Sequence, residues 1–331
     1  MRVTIGIDVG GTKVLGVAVA PGGDVVAEAR RPTPRAGAVL GGLLDTLSAM
    51  VAELDEAGRR VGSDAQRRPA VGLGLPGLVD EAGTLIFAPH LPAALGTAIG
   101  TVLAERVGGR VVADNDATCA TYGEWQIGAA KGAADAVVLT LGTGIGAGLV
   151  VGGRLVRGAH GFAGEVGHVV FDPAGPPCPC GRQGCWERYA SGAGTERLAR
   201  QAAAAGRLPT ALDLAGGDLD SLRGEHVTAA SRTGEPGALA VLADVGTWLG
   251  AGLANLVALL DPEVVVVGGG LADAGDALLD PARRALAERV PGGPDRPPVA
   301  LRPAALGERA GAIGAALLSA AGPPTPRIEA S

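Results

Sequence analysis

The stretches TIGIDVGGTKVLGV (residues 4–17) and VVLTLGTGIGAGLV (residues 137–150) follow one order: an apolar strand, a turn containing glycine and threonine, and a second apolar strand. The two copies lie much too far apart to be units of a solenoid, whose repeats span about 20–50 residues. The pair instead indicates a duplicated α/β domain. We therefore expect an α/β protein built from two related lobes.

The remaining pattern supplies strands and helices around these two units. Apolar runs predict strands, and segments with helical periodicity predict helices. Strands are expected at 2–8, 14–20, 25–30, 71–75, 110–113 and 262–267, and helices at 38–57, 97–107, 117–130, 247–260, 273–289 and 308–320. Residues 136–153 carry no charge over a membrane-length stretch, but its six glycines favour strand, turn and strand over a transmembrane helix.

The composition restricts the partners. The chain has 331 residues, 47% of them hydrophobic, and a formal net charge of −6. An acidic chain without a basic run argues against nucleic acid as a partner, because such binding needs a positive surface. The sequence opens directly on a strand pattern with no apolar leader segment, so we expect a cytoplasmic protein without a membrane partner.

The organisation along the chain predicts where the lobes begin and end. Residues 1–116 are expected to form a smaller α/β lobe, onto which a C-terminal helix at 308–321 packs back. Residues 117–307 are expected to form the larger α/β lobe, with a hinge near residues 114–118. The final segment, 322–331, is expected to be a flexible tail.

The first glycine turn has the features of a phosphate-binding loop. Asp8 ends a strand beside Gly10 and Gly11, where backbone N–H groups can converge on an anion. Thr12 adds a hydroxyl and Lys13 a positive charge. Asp8 could hold Mg²⁺ directly or through water. An ordinary hairpin turn rich in aspartate and glycine explains the same residues equally well.

Two later glycine clusters, at residues 142–146 and 268–270, strengthen the phosphate-loop interpretation. The segment 142–147 also matches the dinucleotide fingerprint, but a strand rather than a helix is expected after it, which argues against a Rossmann site. The third cluster follows a buried strand and could offer a flat backbone surface to a nucleotide. Together these turns describe an ATP site between two lobes, with candidate residues Gly142, Thr143, Gly144, Gly268, Gly269 and Gly270.

Three of the four cysteines, Cys178, Cys180 and Cys185, lie close together in the stretch CPCGRQGCWE. Metal binding suits them better than a disulfide, which is rare in cytoplasmic proteins, or a catalytic thiol, which needs a partner base. With His168 upstream they could form a closed tetrahedral Zn²⁺ site of structural type. Cys119 stands apart and is expected in the core.

Three carboxylates have ordinary interpretations when each is taken alone. Asp116 follows a strand and suits the N-cap of the next helix. Glu165 and Glu187 flank the cysteines and suit solvated loop positions.

The sequence does not decide whether Trp186 lies in the core or in the wall of a cleft.

The chain resembles the ROK family of sugar kinases, repressors and open reading frames, and within it the actinobacterial, ATP-dependent glucokinase branch. The motifs that carry the resemblance run from residue 3 to about residue 321. They are DVGGTK (8–13), LPG (75–77), DNDA (114–117), LGTGIGAG (141–148), EVGH (165–168), CPCGRQGCWE (178–187) and, more weakly, GGG (268–270). The cysteine motif is the most specific of them.

The resemblance implies a fold, a reaction and a role for each matching residue. The fold would be that of actin-like, hexokinase-type ATPases, with two α/β lobes and the active site in a central cleft. The reaction would be ATP-dependent phosphorylation of glucose at its 6-hydroxyl, with Asp116 as general base. The matching sugar ligands are Asn115, Asp116, Glu165, His168 and Glu187, and the matching zinc ligands are His168, Cys178, Cys180 and Cys185. ATP, Mg²⁺ and a structural Zn²⁺ are the expected cofactors, and a homodimer or homotetramer is the expected assembly.

Other members of the family provide the alternatives. The same motifs serve kinases of N-acetylglucosamine, mannose, fructose or allose, so the choice of glucose rests on likeness. Sugar-responsive repressors carry an N-terminal helix-turn-helix domain, and because a strand is expected from residue 3 we expect a kinase rather than a repressor. Polyphosphate-dependent relatives typically lack the zinc cysteines. A regulatory role beside catalysis stays open.

Overall fold

The structure is a computed structural model that describes residues 3–34, 40–63, 68–89 and 91–321. Contacts divide the chain into two compact units. The first unit comprises the described residues up to Ile127, the segment Arg157–Ala163 and the described residues from Arg309 onward. The second unit comprises Gly128–Val156 and Gly164–Glu308.

The elements follow in chain order. The first part of the chain forms β1 (Thr4–Val9), β2 (Lys13–Val19), β3 (Val25–Pro32), α1 (Leu40–Arg60), β4 (Val71–Leu75), β5 (Leu78–Val79), β6 (Leu85–Phe87), α2 (Ile99–Val107), β7 (Val111–Asn115) and α3 (Asp116–Ile127). The second part forms β8 (Ala136–Leu141), β9 (Ile145–Val151), β10 (Arg154–Val156), α4 (Glu187–Ala190), α5 (Gly192–Ala204), α6 (Pro209–Leu214), α7 (Gly224–Arg232), α8 (Pro236–Leu260), β11 (Val264–Gly268), α9 (Asp276–Arg289), β12 (Ala300–Pro303) and α10 (Ala310–Ala321).

The two main sheets repeat one topology, which confirms the predicted duplication. The first sheet has the order β3-β2-β1-β4-β7 and the second β10-β9-β8-β11-β12. In each, the first three strands form an antiparallel meander and the last three run parallel. Asp8 pairs with Gly74 in the first sheet, and Thr140 pairs with Gly268 at the equivalent place in the second. The second copy therefore carries a threonine where the first carries its candidate metal carboxylate.

Helix α10 packs directly on the strands of the first unit. A Cβ atom at Gly6 would overlap the carbonyl of Ala312, and one at Gly72 would overlap the carbonyl of Ala315. The glycines of β1 and β4 thus let the helix backbone approach the sheet closely. This packing fixes the ends of β1 and β4 relative to the N-terminus of α10, beside Asp8.

The observed units group two segments differently from the predicted lobes, which divided at residue 116. Helix α3 belongs to the first unit, because its Cys119 carbonyl lies against Gly314 of α10. The segment Arg157–Ala163 also belongs to it, since Arg157 pairs with Asp114. The predicted tail, 322–331, lies outside the described residues.

Within the described residues, α8 is the helix whose length and composition would allow it to span a membrane. Its most apolar 18-residue window is 56% buried within the structure, as expected for a core helix. The uncharged stretch at 136–153 forms β8, a turn and β9, as the sequence predicted. The predicted helix at 247–260 is the C-terminal part of α8.

Candidate active site

The turn after β1 is a closed hairpin with an exposed tip. The Gly10 N–H donates to the Lys13 carbonyl at 2.9 Å, and Thr33 Oγ1 donates to the Gly10 carbonyl at 2.6 Å. Gly11, Thr12 and Lys13 are exposed. The tip therefore presents backbone, the Thr12 hydroxyl and the Lys13 ammonium group to solvent. This surface is suited to binding phosphate.

Asp8, at the end of β1, carries a buried oxygen that lacks a hydrogen bond. Its Oδ1 has no partner within the described structure. The pKa of this carboxyl is raised to about 8, mainly by burial and also by the negative charge of Asp116, against the opposing effect of Lys13. Two glycines leave the space that the carboxyl occupies, because a Cβ at Gly311 would lie 2.7 Å from its Cγ and one at Gly74 would lie 3.2 Å from Oδ1.

This environment fits a divalent cation. A buried carboxylate oxygen without a donor is costly unless a cation or a bound water completes it. Mg²⁺ takes one or two carboxylates and keeps most of its waters. Asp8 therefore suits the Mg²⁺ role that the sequence predicted for it.

Asn115 and Asp116 lie where β7 ends and α3 begins. Asn115 Oδ1 accepts from the Thr118 N–H at 2.9 Å, and its Nδ2 donates to the Gly77 carbonyl at 3.0 Å. Asn115 is therefore the N-cap of α3, a role that position alone had suggested for Asp116. Asp116 stands in the first turn, half-exposed, with Oδ1 accepting from the Ala117 N–H at 2.8 Å.

Beside these residues, Asp114 and Arg157 form an ion pair that the sequence did not predict. Arg157 Nε donates to Asp114 Oδ2 at 2.7 Å, and the side chains are 22% and 10% exposed. Asp114 Oδ1 also accepts from the Asn115 N–H at 2.9 Å. The pair therefore fixes the backbone immediately before Asp116. The only signal in the sequence was the charge of Asp114 at the end of a predicted strand. Its partner Arg157 lies 43 residues away, so the sequence did not identify the pair.

In the second unit, the predicted metal ligands come together. The candidate donor atoms of the four residues all lie within 4.8 Å of one another, the residues being His168, Cys178, Cys180 and Cys185. His168 Nδ1 lies 3.7 Å from Cys178 Sγ, and Cys180 Sγ lies 3.6 Å from Cys185 Sγ. A tetrahedral Zn²⁺ site with Zn–S bonds of about 2.3 Å has edges of this size, so the cluster fits zinc.

Two glutamates flank the imidazole of this cluster. His168 Nε2 lies 3.7 Å from Glu165 Oε2, and Nδ1 lies 3.6 Å from Glu187 Oε1. Cys178 Sγ is 3.0 Å from the same Glu187 oxygen. Burial raises the pKa of Glu165, and the nearby Glu187 raises it further while His168 lowers it. The structure thus places both carboxylates and the imidazole in one polar group suited to hydrogen-bonding hydroxyls.

The second glycine turn connects β8 to β9, and its tip residues Gly142 and Thr143 are exposed. The first residues of α5 hold this turn through two backbone hydrogen bonds. The Gly192 N–H donates to the Gly142 carbonyl at 2.8 Å, and the Ala193 N–H donates to the Thr143 carbonyl at 3.2 Å. Because a strand follows the turn, the structure confirms the argument against a Rossmann site.

The Gly268-Gly269-Gly270 cluster ends β11. Gly269 has φ +86° and packs against the end of β8, where a Cβ would lie 2.5 Å from the Leu141 carbonyl oxygen. Gly270 is exposed, with no atom within 4 Å of the Cβ position. The cluster therefore leaves bare backbone at the end of this strand, as a nucleotide platform requires.

Trp186 is a core residue rather than part of a cleft wall. Its side chain is 1% exposed, and Nε1 donates to the Trp248 carbonyl at 2.9 Å. Phe171 stacks on it at 5.9 Å between ring centroids, and a Cβ at Gly252 would overlap the indole. Trp186 thus attaches the cysteine loop to α8, next to Glu187.

Known proteins resemble this chain over nearly its full length, in sequence and in fold. The family model described as "ROK family" matches residues 4–321. The glucokinase of Streptomyces coelicolor is 40% identical over 322 residues, which cover 96% of this chain and 98% of that protein. A crystal structure of a ROK family glucokinase from Streptomyces griseus, in complex with glucose and AMPPNP, is 39% identical, covers 97% of this chain and 100% of its own, and superposes with a TM-score of 0.87. The ROK hexokinase of Thermus thermophilus is 33% identical, with coverages of 96% and 97% and a TM-score of 0.74.

Proposed function

The chain belongs to the ROK family, and we propose from that premise that it is an ATP-dependent glucokinase, which converts glucose and ATP to glucose 6-phosphate and ADP. The observation that carries the proposal is full-length similarity to glucokinases, at 40% identity in sequence and with a TM-score of 0.87 to a structure holding glucose and AMPPNP. The fold is that of the actin-like, hexokinase-type ATPases, with an α/β topology repeated in the two units.

The polar group around His168 is suited to a sugar. We assign Glu165 and Glu187 to pairs of glucose hydroxyls, since a carboxylate can accept from two donors at once. His168 would present Nε2 to the sugar, because Nδ1 faces the cysteines. Asn115 contributes from the end of β7, where its side chain is already fixed by Gly77 and Thr118.

The glycine turns are suited to the nucleotide. We assign the residues of the first turn, Gly10 to Lys13, and of the second, Gly142 to Gly144, to the phosphates of ATP. The bare backbone at Gly268–Gly270 is assigned to the rest of the nucleotide. Asp8 would hold Mg²⁺, which neutralises phosphate charge when bound.

The chemical step needs one proton acceptor. We assign that role to Asp116, which is half-exposed at the first turn of α3. As the glucose 6-oxygen forms its bond to the γ-phosphorus of ATP, the bond from that phosphorus to the β,γ-bridging oxygen breaks, and ADP leaves. The proton of the 6-hydroxyl passes to the Asp116 carboxylate.

The cysteine cluster would act structurally. Four protein ligands complete a tetrahedron and leave no position for a reacting water. With zinc bound, the cluster would fix the ring orientation of His168 and the loop that carries Glu165 and Glu187. A cytoplasmic location and a homodimeric or homotetrameric assembly stay predictions from the sequence.

The proposal is tested by the identity of the product. The protein is incubated with glucose, ATP and Mg²⁺, and the sugar phosphate is examined by ³¹P and ¹³C nuclear magnetic resonance. We expect phosphate on the 6-oxygen of glucose and one ADP per phosphate transferred. A product phosphorylated at another oxygen, or no product, contradicts the proposal.

A further inference from the structure

Ser191 contacts both the loop that carries Glu187 and the second glycine turn. Its hydroxyl is fully buried, at 0% exposure, and lies 2.6 Å from the Glu187 carbonyl oxygen and 2.9 Å from the Thr143 carbonyl oxygen. It also caps α5, accepting from the Gly194 N–H at 3.4 Å. One side chain therefore contacts the backbone of a proposed sugar ligand and of a proposed phosphate-binding residue.

A second contact connects the same two sites. A Cβ at Gly144 would overlap Glu187 Oε2, so the carboxylate of the sugar ligand lies directly against the second turn. The backbone contacts from Gly192 to Gly142 and from Ala193 to Thr143 hold the turn to the start of α5 as well. A displacement of the turn therefore moves groups that touch Glu187 at both its carbonyl and its carboxylate.

We propose that Ser191 is a positioning residue that couples glucose binding to ATP binding, so that each ligand increases the affinity for the other. This inference rests on the proposed glucokinase function. Both carbonyls contact the same buried hydroxyl, so a ligand that fixes one of these contacts also restricts the movement of the other. The second ligand then has less of the site to order, which increases its affinity. Such coupling is reciprocal by linkage.

The test measures the affinity for glucose by titration calorimetry, with and without saturating AMPPNP and Mg²⁺. We expect AMPPNP to tighten glucose binding about tenfold in the wild type, within the usual range of coupling between two sites. In Ser191→Ala the factor should fall to within about twofold of unity. Ser191→Thr, which keeps the hydroxyl and the cap, should retain most of the coupling.

Thr195→Val is the matched control. Thr195 is also fully buried in the first turn of α5, and its hydroxyl donates to the Ser191 carbonyl at 2.9 Å. That carbonyl keeps its bond from the Thr195 N–H at 2.8 Å, so the variant removes one buried hydrogen bond without touching either ligand loop. The coupling factor should stay near the wild-type value. Equal loss in both variants contradicts a specific role for Ser191.

A measurement on the wild type covers the case in which Ser191→Ala does not fold. Glucose alone should slow amide hydrogen exchange by at least about twofold in a peptide covering residues 141–149, because it settles the turn through Ser191. Unchanged exchange there overturns the inference. A wild type that binds both ligands independently also overturns it and leaves the glucokinase proposal intact, whereas a wild type that binds neither contradicts both.

Discussion

Asn115 Oδ1 accepts a hydrogen bond from the Thr118 N–H at 2.9 Å, so Asn115 caps α3 and Asp116 does not. Asp114, the residue immediately before this cap, is held by its ion pair with Arg157. The start of the helix is therefore capped and held by neighbours of Asp116, so a substitution at Asp116 leaves the cap in place.

Replacing Asp116 should separate catalysis from stability. Asp116→Asn removes the proposed base, so kcat should fall on the order of 10²- to 10⁴-fold. The thermal midpoint and the zinc content should change little, because the cap belongs to Asn115. Steady-state kinetics measures kcat, calorimetry the thermal midpoint, and metal analysis the zinc content. Asp24→Asn, at an exposed aspartate of the same unit, is the control and should keep the wild-type kcat; near-normal turnover in Asp116→Asn removes this residue from the base role.

Zinc content and glucose affinity should be lost together. Cys180→Ala removes one of four ligands, and the loop carrying Glu165 and Glu187 then loses its fixed position. Metal analysis should find one zinc per chain in the wild type and much less in the variant, with glucose bound roughly 10- to 100-fold more weakly. Cys119→Ala, at a buried cysteine outside the cluster, should keep its zinc. A metal-free wild type with full activity contradicts the structural role.

The raised pKa of Asp8 should be visible in the pH dependence of stability. Its value in the folded protein is about 8, against an ordinary value of 3.8. Between these values the unfolded chain releases the proton and the folded chain keeps it, so the contribution of Asp8 to stability is present at low pH and is lost as pH rises toward 8.

Comparison with Asp8→Asn isolates this effect. Without added Mg²⁺, the unfolding free energy of the wild type relative to the variant should fall as pH rises from 5 to 8, by at most about 1.4 kcal/mol per pH unit. Urea unfolding at each pH provides the measurement. Adding Mg²⁺ and ATP should reverse the fall in the wild type alone. Parallel profiles for the two proteins would refute the buried, protonated state of Asp8.

The contact between Trp186 and α8 predicts a large effect from one methyl group. In Gly252→Ala the new Cβ overlaps the Trp186 indole, which must shift away from Phe171 and Trp248. We expect a loss of about 1–3 kcal/mol in unfolding free energy, together with weaker zinc retention. Gly224→Ala is the matched control in the same unit, since no atom lies within 4 Å of its Cβ position; equal stability losses would show that the indole contact does not matter.

The sequence predicted the features that are local in the chain. The glycine turns after β1 and β8 stood out because strand, turn and strand follow one another directly, and the three cysteines lie within eight residues of each other at 178–185. The same motifs carried the family resemblance, and with it the roles proposed for Asp116 and Glu187.

Contacts between distant segments could not be predicted in this way. The pairing of Asp114 with Arg157 and the packing of Trp186 against Gly252 join residues whose types suggest no particular partner. The helices from Gly192 to Arg232 were not identified, because runs of alanine and glycine give little contrast between a buried and an exposed face. Ser191 had no motif of its own, and its role depends on two carbonyls that only the fold brings to it.

Turnover with different sugars and phosphoryl donors decides whether the protein is an ATP-dependent glucokinase. Sugar phosphate formation is measured with glucose, mannose, fructose, allose and N-acetylglucosamine, using ATP and, separately, polyphosphate as donor. Glucose with ATP should have the highest kcat/KM of all combinations. A higher kcat/KM for another sugar or for polyphosphate, or no turnover with any pair, would contradict it.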